Sequence, residues 1–214
     1  MSQPLEDIVV LDFSNGWPGS IATMILSDFG AEVIKVEPPQ GDPYRIFPES
    51  LLWNRGKKSV VLDLYSSAGI SDAHTLISKA DVIVESFPPE IANQLGIIYD
   101  KLNEINPNYI HCSITGFGDE GPYSNYKAYE GIVAAKVGRY SVFTGQSNRE
   151  GPHYGAVNIS SHSTAMSAVR GILAALIVKH RTGRGQRVQT SLLQSITPYD
   201  ISNWLIWQMM IKFP

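Results

Sequence analysis

The stretch DIVVLDFSNGWPGSIATMILSDFGAEVIKV, Asp7 to Val36, changes its hydrophobic period twice. Asp7 to Phe13 is a short apolar run bounded by turn signals, the pattern of a buried strand. Ser14 to Ser20 (SNGWPGS) holds two glycines and a proline and reads as a loop. From Ile21 to Phe29 the residues Ile21, Met24, Ile25 and Phe29 fall on one helical face, and Gly30 is a natural stop. Glu32 to Val36 is a second strand, closed by Pro38 and Pro39. Strand, helix and strand in that order form a βαβ unit, which implies parallel pairing and a right-handed crossover.

The alternation continues outward. Ser59 to Leu64, Asp81 to Glu85, Tyr109 to Thr115 and Arg187 to Leu192 read as strands. Ser67 to Lys79, Pro89 to Leu95 and Tyr99 to Ile105 read as helices, and Gly116 to Gly121 as a glycine-rich loop. The longest helix spans Ser163 to Arg181 and is apolar on nearly all sides, which predicts burial. Lys179, His180 and Arg181 in its last turn suit the helix dipole. The expected fold is therefore α/β, a Rossmann-like parallel sheet with flanking helices.

The 214 residues suffice for one domain with a sizeable core. A net charge of -3 argues against a general nucleic-acid partner. Cys112 is the single cysteine, so neither an internal disulfide nor a cysteine metal cluster is expected, and a reducing cytoplasm suits it. The N-terminus lacks the pattern of a signal peptide, and the longest apolar run, Ile172 to Val178, is too short to span a bilayer. Ile201 to Pro214 (ISNWLIWQMMIKFP) is apolar without a polar cap, which predicts a partner surface or further chain.

Candidate site residues each carry two readings. The first loop lacks the closely spaced glycines of a dinucleotide fingerprint. Asn15 and Trp17 can pack on a planar ligand such as adenine, or form an ordinary turn with a core Trp. Arg45, Arg55, Lys57 and Lys58 suit phosphates, or a solvated surface. Glu130, beside Tyr129 and near Lys127, suits acid–base or positioning work, or simply serves a helix N-terminus. Ser160, Ser161 and Ser163 beside His162 invite a hydrolase reading. Neighbours on a helix diverge in direction, so an N-capping role is the simpler one.

Several segments, in order along nearly the whole chain, resemble the family III CoA-transferases. They are LDF (Leu11 to Phe13), DFGAEVIKVEPPQGDPYR (Asp28 to Arg45), NRGKKSVVLDL (Asn54 to Leu64), ADVIVESF (Ala80 to Phe87), the CSITGFGDEGPY block (Cys112 to Tyr123), KAYEGIVAA (Lys127 to Ala135) and GILAALIVKHRTGRGQ (Gly171 to Gln186). The resemblance implies a longer protein with a large Rossmann-like domain, a small domain and interlocked dimers. Residues 1–190 would belong to the large domain and 191–214 would begin the connection to the small one. It implies an acyl-CoA and a small carboxylic acid as substrates, no tightly bound cofactor and no metal, and neither nucleic acid nor membrane as partner.

The resemblance also implies an Asp nucleophile, which passes through an anhydride and a thioester because a carboxyl group alone can become both. That position, ten residues before Gly171, holds Ser161. Tyr129, Glu130 and Lys127 fit one subgroup of the family. The related racemases pair His with the same Asp, and their His position matches Tyr129. Trp17 departs from the usual Gln or Val, and Pro38 and Gln94 stand where the subgroup has arginines. CoA contacts are expected at Asn15, Trp17, Arg45, Arg55, Lys57 and Lys127. Three readings stay open: a transferase whose active nucleophile lies elsewhere, with this chain as homodimer or tandem-domain partner; a silent CoA-binding scaffold; or changed acyl-CoA chemistry such as a lyase or isomerase. An NAD-dependent oxidoreductase and a purely structural module are the alternatives from other classes.

Overall fold

The computed structural model describes residues 2–141, 150, 151 and 153–212. Six strands, β1 (Val9–Phe13), β2 (Glu32–Glu37), β3 (Lys58–Val61), β4 (Val82–Glu85), β5 (Ile110–Thr115) and β6 (Gln186–Ser191), form one sheet in the order β3-β2-β1-β4-β5-β6. Every pairing is parallel. The order reverses between β1 and β4, so the crevice beyond the carboxyl ends of those strands is where such a sheet takes ligands.

The helices are α1 (Trp17–Asp28), α2 (Ser50–Trp53), α3 (Ser67–Ile77), α4 (Pro89–Leu95), α5 (Tyr99–Ile105), α6 (Glu130–Lys136), α7 (Ile159–Thr182), α8 (Leu192–Ile196) and α9 (Ile201–Lys212). α1, α7 and α8 cover one face of the sheet, where Val10, Val82, Val84, Ile110, Cys112 and Ile114 meet Ala165, Ala168 and Ile172. Helices α3 to α5 cover part of the other face, over Leu11, Phe13, Ile83 and Tyr109. Cys112 lies in the middle of β5 and is fully buried. Leu192 and Ile196 of α8 belong to the same core as α1 and α7. Beyond them α9 exposes Trp204, Leu205, Trp207, Met209 and Met210.

The differences from expectation have local causes. α1 begins at Trp17, ahead of Ile21, because Pro18 is already suited to a first turn that needs no N–H from it. β3 stops at Val61, short of Leu64. There Ser66 caps α3 by accepting the Gly69 N–H at 3.0 Å, and any side chain at Gly69 would strike the Asp63 carbonyl. α7 begins at Ile159, ahead of Ser163, and ends at Gly183, whose φ of 71° terminates it. Lys179 Nζ ties its last turn to Asp81 at 2.7 Å. By length and composition α7 could cross a membrane, but it lies packed on α1 and the sheet, as the core helix of a globular domain does.

Candidate functional site

α1 follows β1 and α7 precedes β6, so both helices run back against the strands and start at the carboxyl edge. The loop after β1 is fixed from below by charge. Burial alone would push the Asp12 carboxyl up. Lys35 and Lys57, with the hydroxyls of Ser14 and Thr23, outweigh that and hold it well below the carboxylate range. Lys57 Nζ is 3.0 Å from Asp12 Oδ2, with its side chain 2% exposed. Lys35 Nζ donates to the Ser14 carbonyl at 2.9 Å and pairs with Asp42 at 3.0 Å. Asp42 in turn accepts the Tyr44 N–H at 2.8 Å. Tyr44 lies against Gly16, where an added Cβ would sit 3.2 Å from its ring; Gly16 also holds φ at 88°.

Across the reversal point the loops after β1 and β4 are latched together. The Asn15 N–H donates to Ser86 Oγ at 2.9 Å, and the Ser86 hydroxyl donates to the Asn15 carbonyl at 3.1 Å. Beside the latch lies a cleft of about 350 Å³, bounded by Phe13, Asn15, Glu37, Pro38, Tyr65 and Phe87.

The start of α7 is occupied by a carboxylate from another helix. Asn158 makes no side-chain cap there. Instead Glu130 Oε1 accepts the Ser160 N–H at 3.0 Å and its hydroxyl at 2.7 Å. Glu130 Oε2 accepts the Ser161 N–H at 2.7 Å and its hydroxyl at 2.8 Å. First-turn N–H groups lack partners within their own helix, and a carboxylate answers both the groups and the dipole. Ser160 and Ser161 therefore lie inside the first turn, where Glu130 does the capping. Trp17, at the start of α1, packs tilted against Trp53 with ring centres 4.5 Å apart and meets the His162 ring edge-on at 6.5 Å.

The structure thus gathers Asn15, Trp17, Tyr44, Tyr129, Glu130 and Ser161 at one edge. Burial raises the Tyr44 hydroxyl pKa, and the nearby Tyr129 adds to this. Lys127 is exposed, with Nζ 5.9 Å from the centre of the Tyr129 ring. The expected phosphate ligands are engaged by the protein itself. Arg45 pairs with the buried Glu37, which its guanidinium holds down at about 2. Arg55 pairs with Asp28 at the surface, and Lys58 with Glu32 at 2.7 Å. Lys57 is enclosed on Asp12, so its reading as a solvated surface residue is corrected. Asp12, Lys35, Asp42 and Ser86 escaped the sequence reading. The available signal was a charge inside an apolar strand, Asp12 in VVLDF and Lys35 in EVIKVE, since a buried charge demands a partner. Among the described residues no group of His, Cys, Asp and Glu could hold a metal.

Comparison with known proteins gives the family. The family model for CoA-transferase family III matches residues 5–212. The chain belongs to that family. A formyl-CoA:oxalate CoA-transferase of Streptomyces avermitilis is 38% identical over 206 residues, covering 92% of this chain and 49% of that protein. The human succinyl-CoA:glutarate CoA-transferase is 35% identical over 223 residues, covering 98% of this chain and 50% of its own length. Among solved structures, a CAIB/BAIF family protein from Brucella suis superposes with a TM-score of 0.86 at 32% identity, over 96% of this chain and 58% of the other. A hypothetical protein from Mycobacterium tuberculosis gives 0.90 at 30% identity, over 97% and 60%. This family III chain spans about half the length of the curated relatives it matches.

Proposed function

We propose that this family III chain binds an acyl-CoA thioester along the carboxyl edge of its sheet and serves the exchange of CoA between an acyl-CoA and a carboxylic acid. Relatives named for formyl-CoA with oxalate and for succinyl-CoA with glutarate support that reaction class. The carrying observation is the Glu130 carboxylate seated on Ser160 and Ser161 at the start of α7, beside Trp17 and Tyr129. Exchange needs a carboxyl group as nucleophile, because an enzyme ester of Ser161 offers CoA no carbonyl on the protein to attack. Ser161 Oγ, at 2.8 Å, is placed to hold Glu130 in position. The acyl-CoA and the acid are substrates, and the protein contributes no tightly held cofactor.

The same observation favours a second reading. Glu130 already accepts two hydrogen bonds on each oxygen, so its in-plane lone pairs are taken. A carboxylate so held is a poor nucleophile. In this reading the chain binds CoA esters in a cytoplasmic assembly, paired with a tandem transferase unit that carries the reactive Asp, since a second copy of this chain would again hold Ser161. The connection expected over residues 191–214 then begins only beyond α8, because β6 ends at Ser191 and Leu192 and Ile196 stay in the core.

Calorimetry with CoA and with formyl-, acetyl- and succinyl-CoA tests the binding, and isotope exchange with oxalate or glutarate tests the chemistry. Saturable binding with exchange supports the first reading. Saturable binding without exchange supports the second. Absence of binding to every CoA ester overturns both.

A further inference from the structure

On the sheet face away from α7, beyond α4 and α5, a cleft of about 710 Å³ has a polar floor. Strand pairing builds the floor: Glu85 stands beside Ser113 and Ser113 beside Gln189, while His111 stands beside Arg187. Parallel sheets covered on both faces carry nearly continuous apolar runs. β5 alternates instead: Ile110, Cys112 and Ile114 lie under α7, and His111, Ser113 and Thr115 line the cleft.

His111 is 2% exposed, and neither ring nitrogen has a hydrogen-bond partner among the described residues. Its Nε2 lies 3.8 Å from Glu85 Oε1, too far for a hydrogen bond between them. One atom about 2.8 Å from each completes a triangle on that base. The cleft's charges select the atom. Its lining carries Glu85 from β4, Asp100 from α5, and Asp119 and Glu120 from the loop after β5. Asp100 also answers the first turn of α5. Against these four acids stands Arg187 of β6, already paired with Asp119. Phe87, Ile97 and Ile98 offer an apolar wall beside them.

We propose that this cleft binds a protonated primary amine, which donates one N–H to Glu85 Oε1 and another to a bare nitrogen of the His111 ring. Burial, with the nearby Arg187, holds the His111 imidazole down at about 4, so it is neutral and offers a lone pair. Burial pushes Glu85 up to about 7, so an arriving cation displaces its proton. The amine is either a free small molecule or a lysine side chain of a polypeptide laid across the face. The inference does not rest on the acyl-CoA reading, since it is argued from Glu85 and His111 on the face away from α7.

Calorimetry and NMR of the His111 ring with n-butylammonium test it, with butyrate as a control of matched size and opposite charge. Saturable binding is expected, with movement of the His111 ring signals and proton release. Affinity should rise by up to about tenfold from pH 6 to pH 8 as Glu85 ionises. Glu85→Gln should weaken binding at pH 8 by at least about tenfold. A blocked Ala-Lys-Ala peptide, set against its norleucine counterpart, separates the sources. Binding of the lysine peptide alone assigns a polypeptide side chain, and binding of butylammonium alone assigns a free amine; either supports the site. Butyrate binding as tight as butylammonium, or an unmoved His111 ring with both amines, overturns it. If Glu85→Gln does not fold, a pH-independent affinity in the unaltered protein overturns it equally.

Discussion

Asp12 and Glu85 sit one register step apart on adjacent strands, Asp12 beside Val84 and Glu85 beside Phe13. Both are enclosed, at 0% and 2% exposure. Their chemistry is opposite. Asp12 is met by two lysines and two hydroxyls and stays ionised. Glu85 has the Phe87 N–H at 2.8 Å and the Ser113 hydroxyl, and burial pushes it up to about 7. Equal burial therefore sets no protonation state; the donors brought alongside do. The first carboxylate stiffens a loop, and the second remains able to exchange a proton.

The comparison is broken most directly at Asp12. Asp12→Ala leaves Lys57 and Lys35 enclosed beside a missing charge and should cost about 3–5 kcal/mol in urea unfolding. A loss under about 1 kcal/mol would show that the lysines reach water and that the network is not closed. Glu130 is the intermediate case, satisfied entirely by neutral donors. Glu130→Gln turns an amide N–H₂ towards serine N–H groups and should cost about 2 kcal/mol, read as a lower melting temperature. Ser161→Asp brings a second carboxylate to within reach of Glu130 and should destabilise comparably above pH 5.

Glu85→Gln carries the opposite sign. A carboxyl whose folded pKa is raised adds stability that is complete below its unfolded value and lost as pH rises to about 7. The glutamine variant should therefore be about 1–2 kcal/mol more stable than the parent at pH 8, and the gain should vanish near pH 4. Glu37 has the reverse sign: its stabilisation is present above pH 4.5 and lost as pH falls toward about 2. The smallest effect belongs to Asp28, where solvent does most of the work. Its partner Arg55 is 42% exposed, so Arg55→Ala should shift stability by about 0.5 kcal/mol or less, and added salt should shrink the difference.

Most of the fold was legible because its elements announce themselves locally. The change of period between Asp7 and Val36, Pro89 at the start of α4 and the glycine after α7 each follow from a rule that needs no distant neighbour. α7 illustrates the limit. Its apolar body was visible, but its start at Ile159 depends on Glu130, far away in the chain, and no local rule joins them. The site was legible in the same uneven way. Glu130, Tyr129, Trp17 and Ser161 were singled out and stand at one edge. Arg45, Arg55 and Lys57 each offer a charge that suits phosphate, yet Arg55 and Lys57 find their counter-charges on elements that only the folded chain brings near, and Arg45 finds its own in Glu37 close by in the chain. The polar floor is spelled in the alternation of IHCSIT, whose polar residues fall on the face away from α7.

The lone thiol gives the molecule a built-in clock. Cys112 lies at the centre of the sheet, and burial pushes its pKa up, so the reactive thiolate is suppressed twice over. Fraying at α9 or opening of a surface loop leaves it untouched. An alkylating reagent should therefore mark this chain only when α7 lifts from the sheet or β5 comes apart from its neighbours. The labelling rate then measures how often the core between α7 and the sheet opens, and with a single cysteine no second site in this sequence competes for the signal.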